Sequence, residues 1–172
     1  MSTTAAPPSV RDYPRSQGGA AIGARLRRLS ERIDREADQV YRDLEIEFEQ
    51  RWFGLLNALA ISGPLSVGEI AQSLGVTHAA VSQTRASLQA RGFVAADTDP
   101  ADARRRALRL TPAGQALVAG LRPTWDALNA VALELNHEAG DAVETLERLE
   151  AALDRRNLVA RLRDRKTEPE SA

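Results

Sequence analysis

The sequence predicts a mainly α protein interrupted once by a small β-hairpin, and three observations carry that expectation. Apolar residues recur at three- and four-residue spacing over two long stretches, one near each end. Between Ser66 and Gly92 lie two short helical segments joined by a glycine. After Gly92 the pattern switches to the two-residue alternation of strands, and it returns to helix at Thr111-Pro112.

Residues 1–20 hold Pro7, Pro8, Pro14, Gly18 and Gly19 among small polar side chains, a composition that buries little and reads as a flexible leader. The segment 21–50 then places Ile22, Leu26, Leu29, Ile33, Ala37, Val40 and Leu44 on one narrow helical stripe. A stripe of that width suits a partner helix, so this is the expected N-terminal dimerisation helix. Glu45-Ile46-Glu47-Phe48-Glu49 alternates like a strand yet sits between helices, and its state is left open by the pattern. Residues 51–62 form a strongly apolar helix with Trp52, Phe53, Leu55, Leu56, Leu59 and Ile61, stopped by Gly63-Pro64.

Ser66-Val67-Gly68-Glu69 has capping-box spacing, so a helix starts there and runs through Ile70, Ala71 and Leu74 to a turn at Gly75. Thr77 caps the next helix, which is expected to send Ala80, Val81, Ala86 and Leu88 toward a core before ending at Gly92. Two short helices about a glycine turn make a helix-turn-helix. Phe93-Val94-Ala95-Ala96 and Ala107-Leu108-Arg109-Leu110 flank an Asp/Pro loop and form a hairpin, or wing, with Arg104, Arg105 and Arg106 on its returning arm.

Thr111-Pro112 pairs a cap with a proline at the first helical position, and the helix is expected to pass Pro123, with a bend there, and to end near Ala139-Gly140. Asp141 to Glu144 again has capping-box spacing, for one last helix bearing Val143, Leu146, Leu149, Leu153 and Leu158. The chain thus divides into a leader (1–20), an N-terminal dimerisation helix (21–50), a winged helix-turn-helix domain (51–112), C-terminal dimerisation helices (113–165) and a frayed tail (166–172).

Composition removes several classes of function. With no cysteine the chain carries no disulfide, thiolate metal site or thiol switch, and its histidines are only His78 and His137. A nucleophile beside a base and an orienting acid is what an enzyme would need, so neither catalysis nor a metal or cofactor is expected. No stretch approaches the roughly 20 apolar residues of a membrane span, which predicts a soluble cytoplasmic protein. The net charge of −1 and pI near 6.2 argue against indiscriminate nucleic-acid binding. Between Pro64 and Pro112, however, Arg85, Arg91, Arg104, Arg105, Arg106 and Arg109 outnumber Glu69, Asp97, Asp99 and Asp102, so positive charge gathers in the winged segment.

Four stretches, Leu65-Ser66-Val67-Gly68-Glu69-Ile70-Ala71, Val76-Thr77-His78-Ala79-Ala80-Val81-Ser82, Asp99-Pro100-Ala101-Asp102-Ala103-Arg104-Arg105 and Leu108-Arg109-Leu110-Thr111-Pro112-Ala113-Gly114, resemble the MarR family of bacterial regulators in order and spacing. The resemblance spans roughly Trp52 to Leu121. It implies a transcriptional repressor that acts as a homodimer through intertwined terminal helices, with two winged lobes on a palindromic double-stranded DNA operator. Ala103 departs from the pattern, since the family often has arginine there. Small-molecule effectors occur in parts of the family, which leaves an effector open for this chain with no residue assigned to it.

On the second helix Thr77, His78, Ser82, Gln83 and Arg85 are the candidate DNA contacts. Gln83 suits adenine N6/N7, Arg85 guanine or phosphate, and Thr77 and Ser82 phosphate or sugar oxygens. Ser87 and Gln89 read as surface. Arg104 is the expected minor-groove arginine, oriented by Asp102, and Arg106 is next on the same arm. His137, Trp125 and Trp52 invite a ligand reading, against which the two tryptophans read as core or interface residues; Tyr41 on the first helix is open in the same way. The competing reading is a winged-helix protein-interaction module, which would expose apolar side chains where these polar ones stand.

Overall fold

The computed structural model describes residues 16–98 and 106–167. A 3-10 turn at Gly18–Ala21 leads into α1 (Ile22–Asp43), a second 3-10 turn at Gln50–Trp52 leads into α2 (Phe53–Ser62), and then come β1 (Leu65–Ser66), α3 (Val67–Leu74) and α4 (His78–Ala90). The wing strands β2 (Val94–Thr98) and β3 (Arg106–Leu110) precede α5 (Pro112–Glu138), α6 (Ala142–Arg155) and α7 (Leu158–Thr167). This is the mainly α, winged helix-turn-helix architecture that the periodicity predicts. Two compact units are present, residues 1–120 and 121–172.

In the first unit α1 ends at Leu44, and Glu45 takes the left-handed conformation (φ 56°). The Ile46 amide then donates to Tyr41 O (2.8 Å) and the Glu45 amide to Arg42 O (3.0 Å), a Schellman ending in which a glutamate fills the position that favours glycine. Glu45 to Glu49 is consequently a helix exit, not a strand, despite its alternation. Its one buried side chain, Phe48, packs 4.6 Å from the Tyr41 ring and 5.7 Å from Trp52.

The core of the lobe is made by Trp52, Leu55, Leu56, Leu59, Ile70, Ala71, Val81, Leu88, Val94 and Leu108. Each large apolar side chain buried there contributes on the order of 1.5–3 kcal/mol. Ile61, counted with the apolar helix by pattern, is instead largely exposed at the end of α2. The sheet has the order β1-β3-β2, all antiparallel, with Leu65 opposite Leu108 and Val94 opposite Leu110. Strand β1 is an addition to the expected hairpin: two residues are too few to show an alternation, and their capping box masks them.

In the second unit α5 is helical through Pro123, and a turn with Gly140 at φ 72° follows it. The expected Asp141 capping box does not form. Asp141 is itself left-handed (φ 58°) and makes no side-chain cap bond; the α6 amide of Val143 instead donates to Asn136 Oδ1 at 2.8 Å. The single last helix is two. Arg156 is extended (φ −160°, ψ 104°), and Asn157 Oδ1 accepts from the Ala160 amide at 2.9 Å to start α7. Arg161 bridges the break by donating to the carbonyls of Arg156 and Ala152, both at 2.7 Å.

Large apolar side chains stay open in both units. In the first these include Ile22, Leu26, Leu29 and Ile33 on α1; in the second they include Val143, Leu146 and Leu153 on α6 and Leu158, Val159 and Leu162 on α7. Among the described residues no helix is long and apolar enough to cross a membrane.

Candidate nucleic-acid interface

The helix-turn-helix is fixed at each end by short-range chemistry. Ser66 Oγ accepts from the Glu69 amide (3.2 Å), while Glu69 Oε2 accepts from the Ser66 amide (2.8 Å), so the capping box closes as its spacing predicts. Gly75 stands at φ 64°, ψ 28°, and Val76 donates back to Ala71 O at 3.0 Å. A side chain would be strained at that φ, which is why a glycine turns α3 into α4. Thr77 Oγ1 then accepts from the Ala80 amide at 3.2 Å and caps α4.

The two faces of α4 differ. Val81 and Leu88 are buried, and Arg85 shares their side of the helix, half-buried, with its Nε shielded from solvent and without a hydrogen-bond partner among the described residues. Ala79, Gln83, Ala86 and Ala90 are exposed and recur at four, seven and eleven residues, one stripe along the opposite face. The sequence reading placed Ala80 and Ala86 in the core; both are exposed. Ser82 is half-buried at the flank, Thr77 and His78 are exposed in the first turn, and the His78 ring lies against Gly68, its Cε1 3.6 Å from where a Cβ on that glycine would stand.

Ser87, read as surface, is half-buried and accepts a hydrogen bond from Trp52 Nε1 at 3.2 Å. Trp52 is fully buried, carries the Arg91 guanidinium 5.7 Å from its ring, and meets Phe93 edge-on at 6.2 Å. Arg91 also pairs with Glu47. The C-terminal half of α4 is thus tied to the chain between α1 and α2 by contacts that residue spacing does not reveal.

The wing leaves α4 through Gly92 and Phe93 and rejoins the body at Thr111. The Thr111 hydroxyl donates to Gly92 O (2.6 Å), lies 3.2 Å from Phe93 O, and accepts from the Gly114 amide (3.1 Å). The Thr111 amide donates to Phe93 O at 3.0 Å. Arg109 is exposed on β3 opposite Ala95, and Arg106 opens β3 opposite Thr98. Asp102 and Arg104 fall outside the described residues. Among the described residues no cluster of three His, Asp or Glu side chains is arranged to hold a metal ion.

The structure therefore brings Thr77, His78, Ser82 and Gln83 to the outer and leading parts of one helix, sets Arg85 toward its inner side, and adds Ala79 and Ala86 to the open face. Comparison with known proteins agrees with this fold. The sequence model of the MarR family matches residues 48–105. The structure is similar to that of Bordetella bronchiseptica BpsR, whose DNA binding is regulated by 6-hydroxynicotinic acid, with 27% identity, a TM-score of 0.63 and coverage of 75% of this chain and 92% of that one. It is similar in fold to S. aureus MepR in complex with DNA (21% identity, TM-score 0.63, coverage 77% and 98%). It is also similar in fold to PcaV of Streptomyces coelicolor in complex with its natural ligand (21%, TM-score 0.60, coverage 80% and 94%). No curated protein matches the chain. Family model and fold coincide on the winged lobe, which is similar in sequence over residues 48–105, and in structure, to transcriptional regulators of the MarR family.

Proposed function

We propose that this protein is a sequence-specific double-stranded DNA-binding transcriptional repressor. It binds a palindromic operator as a homodimer, with α4 in the major groove and the wing in the minor groove. The observation that carries this reading is the outer face of α4. From Thr77 to Ala90 it exposes a cap threonine, a histidine, a glutamine and alanines, and no large apolar side chain. A protein-interaction surface would expose apolar bulk there.

In this reading Gln83 reads a base edge, Thr77, His78 and Ser82 approach phosphates and sugars, and Arg85 reaches the backbone from the helix flank. Arg104 enters the minor groove with Asp102 orienting it, and Arg106 adds a phosphate contact. The uncovered stripes of α1, α6 and α7 are the surfaces a second copy would bury. BpsR, whose DNA binding is regulated by 6-hydroxynicotinic acid, and PcaV, in complex with its natural ligand, support a repressor that responds to a small-molecule effector.

The test is an anisotropy titration of the full chain against its own upstream promoter and a scrambled duplex at two salt concentrations. Promoter-selective binding, weakened by salt and by Arg104→Ala, is the expected result. Equal weak binding to both duplexes, or none, would overturn the operator reading.

A further inference from the structure

The stripe on the outer face of α4 carries one hydrogen-bonding group. Ala79 lies one turn before Gln83 and Ala86 about one turn after it, all three exposed, while Arg85 stands on the side of Val81 and Leu88. At 1.5 Å of rise per residue, Ala79 and Ala86 are about 10 Å apart, close to three base-pair steps. A glutamine pairs best with adenine, through N6 and N7, and an alanine methyl has only one feature to meet in the major groove, the C5-methyl of thymine. Cytosine and guanine offer polar groups that a methyl leaves unsatisfied.

From this we propose that α4 reads a short A·T core in each half-site, Gln83 contacting one adenine and Ala79 and Ala86 receiving thymine methyl groups on either side. The inference rests on the operator reading above. It adds base identity, and it excludes Arg85 as a guanine reader, leaving that residue to the phosphates. It also turns the two alanines from helix filler into specificity determinants, since any longer side chain would hold the helix off the base edges.

The experiment selects high-affinity sites for the full-length protein from a random duplex pool, then rebuilds the selected duplex with chemically altered bases. The expected half-site contains an A·T run of about four pairs, the span of three base-pair steps. Replacing a contacted thymine by uracil, which deletes only the methyl, lowers affinity about threefold to fourfold. Replacing the contacted adenine by 7-deazaadenine lowers it about tenfold. Gln83→Ala, at an exposed position, leaves the far-ultraviolet spectrum unchanged and abolishes the 7-deaza effect while keeping the uracil effect. Selective enrichment of G·C-rich half-sites, or indifference to both altered bases, overturns this inference and leaves the operator reading standing. No enrichment of any sequence overturns both.

Discussion

Replacing Gly114 by alanine sets two opposed effects against each other, and the structure decides the sign. In the middle of an exposed helix a glycine-to-alanine change stabilises by about 1 kcal/mol. At Gly114, however, an added Cβ would stand 2.1 Å from Phe93 O and 3.0 Å from Phe93 C. Ordinary carbon–oxygen approach stops near 3.3 Å, so strand exit and helix start must part by about 1 Å. Such a shift breaks the Thr111 amide bond to Phe93 O, now 3.0 Å, and disturbs the Thr111 hydroxyl that joins Gly92 to Gly114. Overpacking of this kind costs about 1–3 kcal/mol and the lost hydrogen bond about 1 kcal/mol, so Gly114→Ala destabilises by about 2 kcal/mol net of the helix gain. For a protein of this length that lowers Tm by about 4–8 °C. Gly120, in the same helix, has nothing within 4 Å of its would-be Cβ, and Gly120→Ala is expected to stabilise by about 0.5–1 kcal/mol. Urea denaturation followed by circular dichroism measures both. Equal stabilisation by the two substitutions would refute the close approach of Phe93 to the start of α5.

Three further outcomes are expected. Glu45→Gly should raise stability by about 0.5–1 kcal/mol, because Glu45 closes α1 at φ 56° with no glycine there; a loss seen in the same denaturation assay would count against the Schellman ending. Asn136→Ala should cost about 1 kcal/mol while Asp141→Ala costs a few tenths, the reverse of what capping-box spacing suggests, since the amide starting α6 donates to Asn136. Trp52→Phe should cost about 2 kcal/mol, from the lost indole volume and the Ser87 bond. A double-mutant cycle with Ser87→Ala should assign about 1 kcal/mol to that bond, and a coupling near zero would remove it from the account.

The legible parts of this fold are those that local chemistry dictates. The capping boxes are instructive because the same spacing succeeds at Ser66 and fails at Asp141. Ser66 itself is extended (φ −72°, ψ 160°), which lets its side chain fold over its own helix start; Asp141 is left-handed in the turn that follows α5 and makes no cap bond. A motif read from four residues does not contain the conformation its first residue inherits from the chain before it. Glu45 to Glu49, whose state the pattern leaves open, is settled by its surroundings: alternation is the signature of a half-buried strand only where a neighbouring strand exists to pair with, and the segment instead turns off α1 into the 3-10 turn before α2.

The candidate site divides along the same line. Thr77 is found by sequence as a cap because a cap is a local event, and Gln83 stands exposed on α4, as its reading as a candidate requires. Ala80 and Ala86, expected in the core, are exposed because alanine tolerates both faces of a helix and carries no periodic signal of its own, and Arg85 stands half-buried because arginine can lie along an apolar flank with its head outward. Only the positions of Val81 and Leu88, once fixed in the core, assign faces to the residues between them. Hydrophobic pattern therefore locates a recognition helix better than it orients one. Gln83 and Arg85, two residues apart, stand about 160° from each other around the helix, so the side on which Val81 and Leu88 are buried decides which of the two faces outward, and with it adenine or guanine as the preferred base.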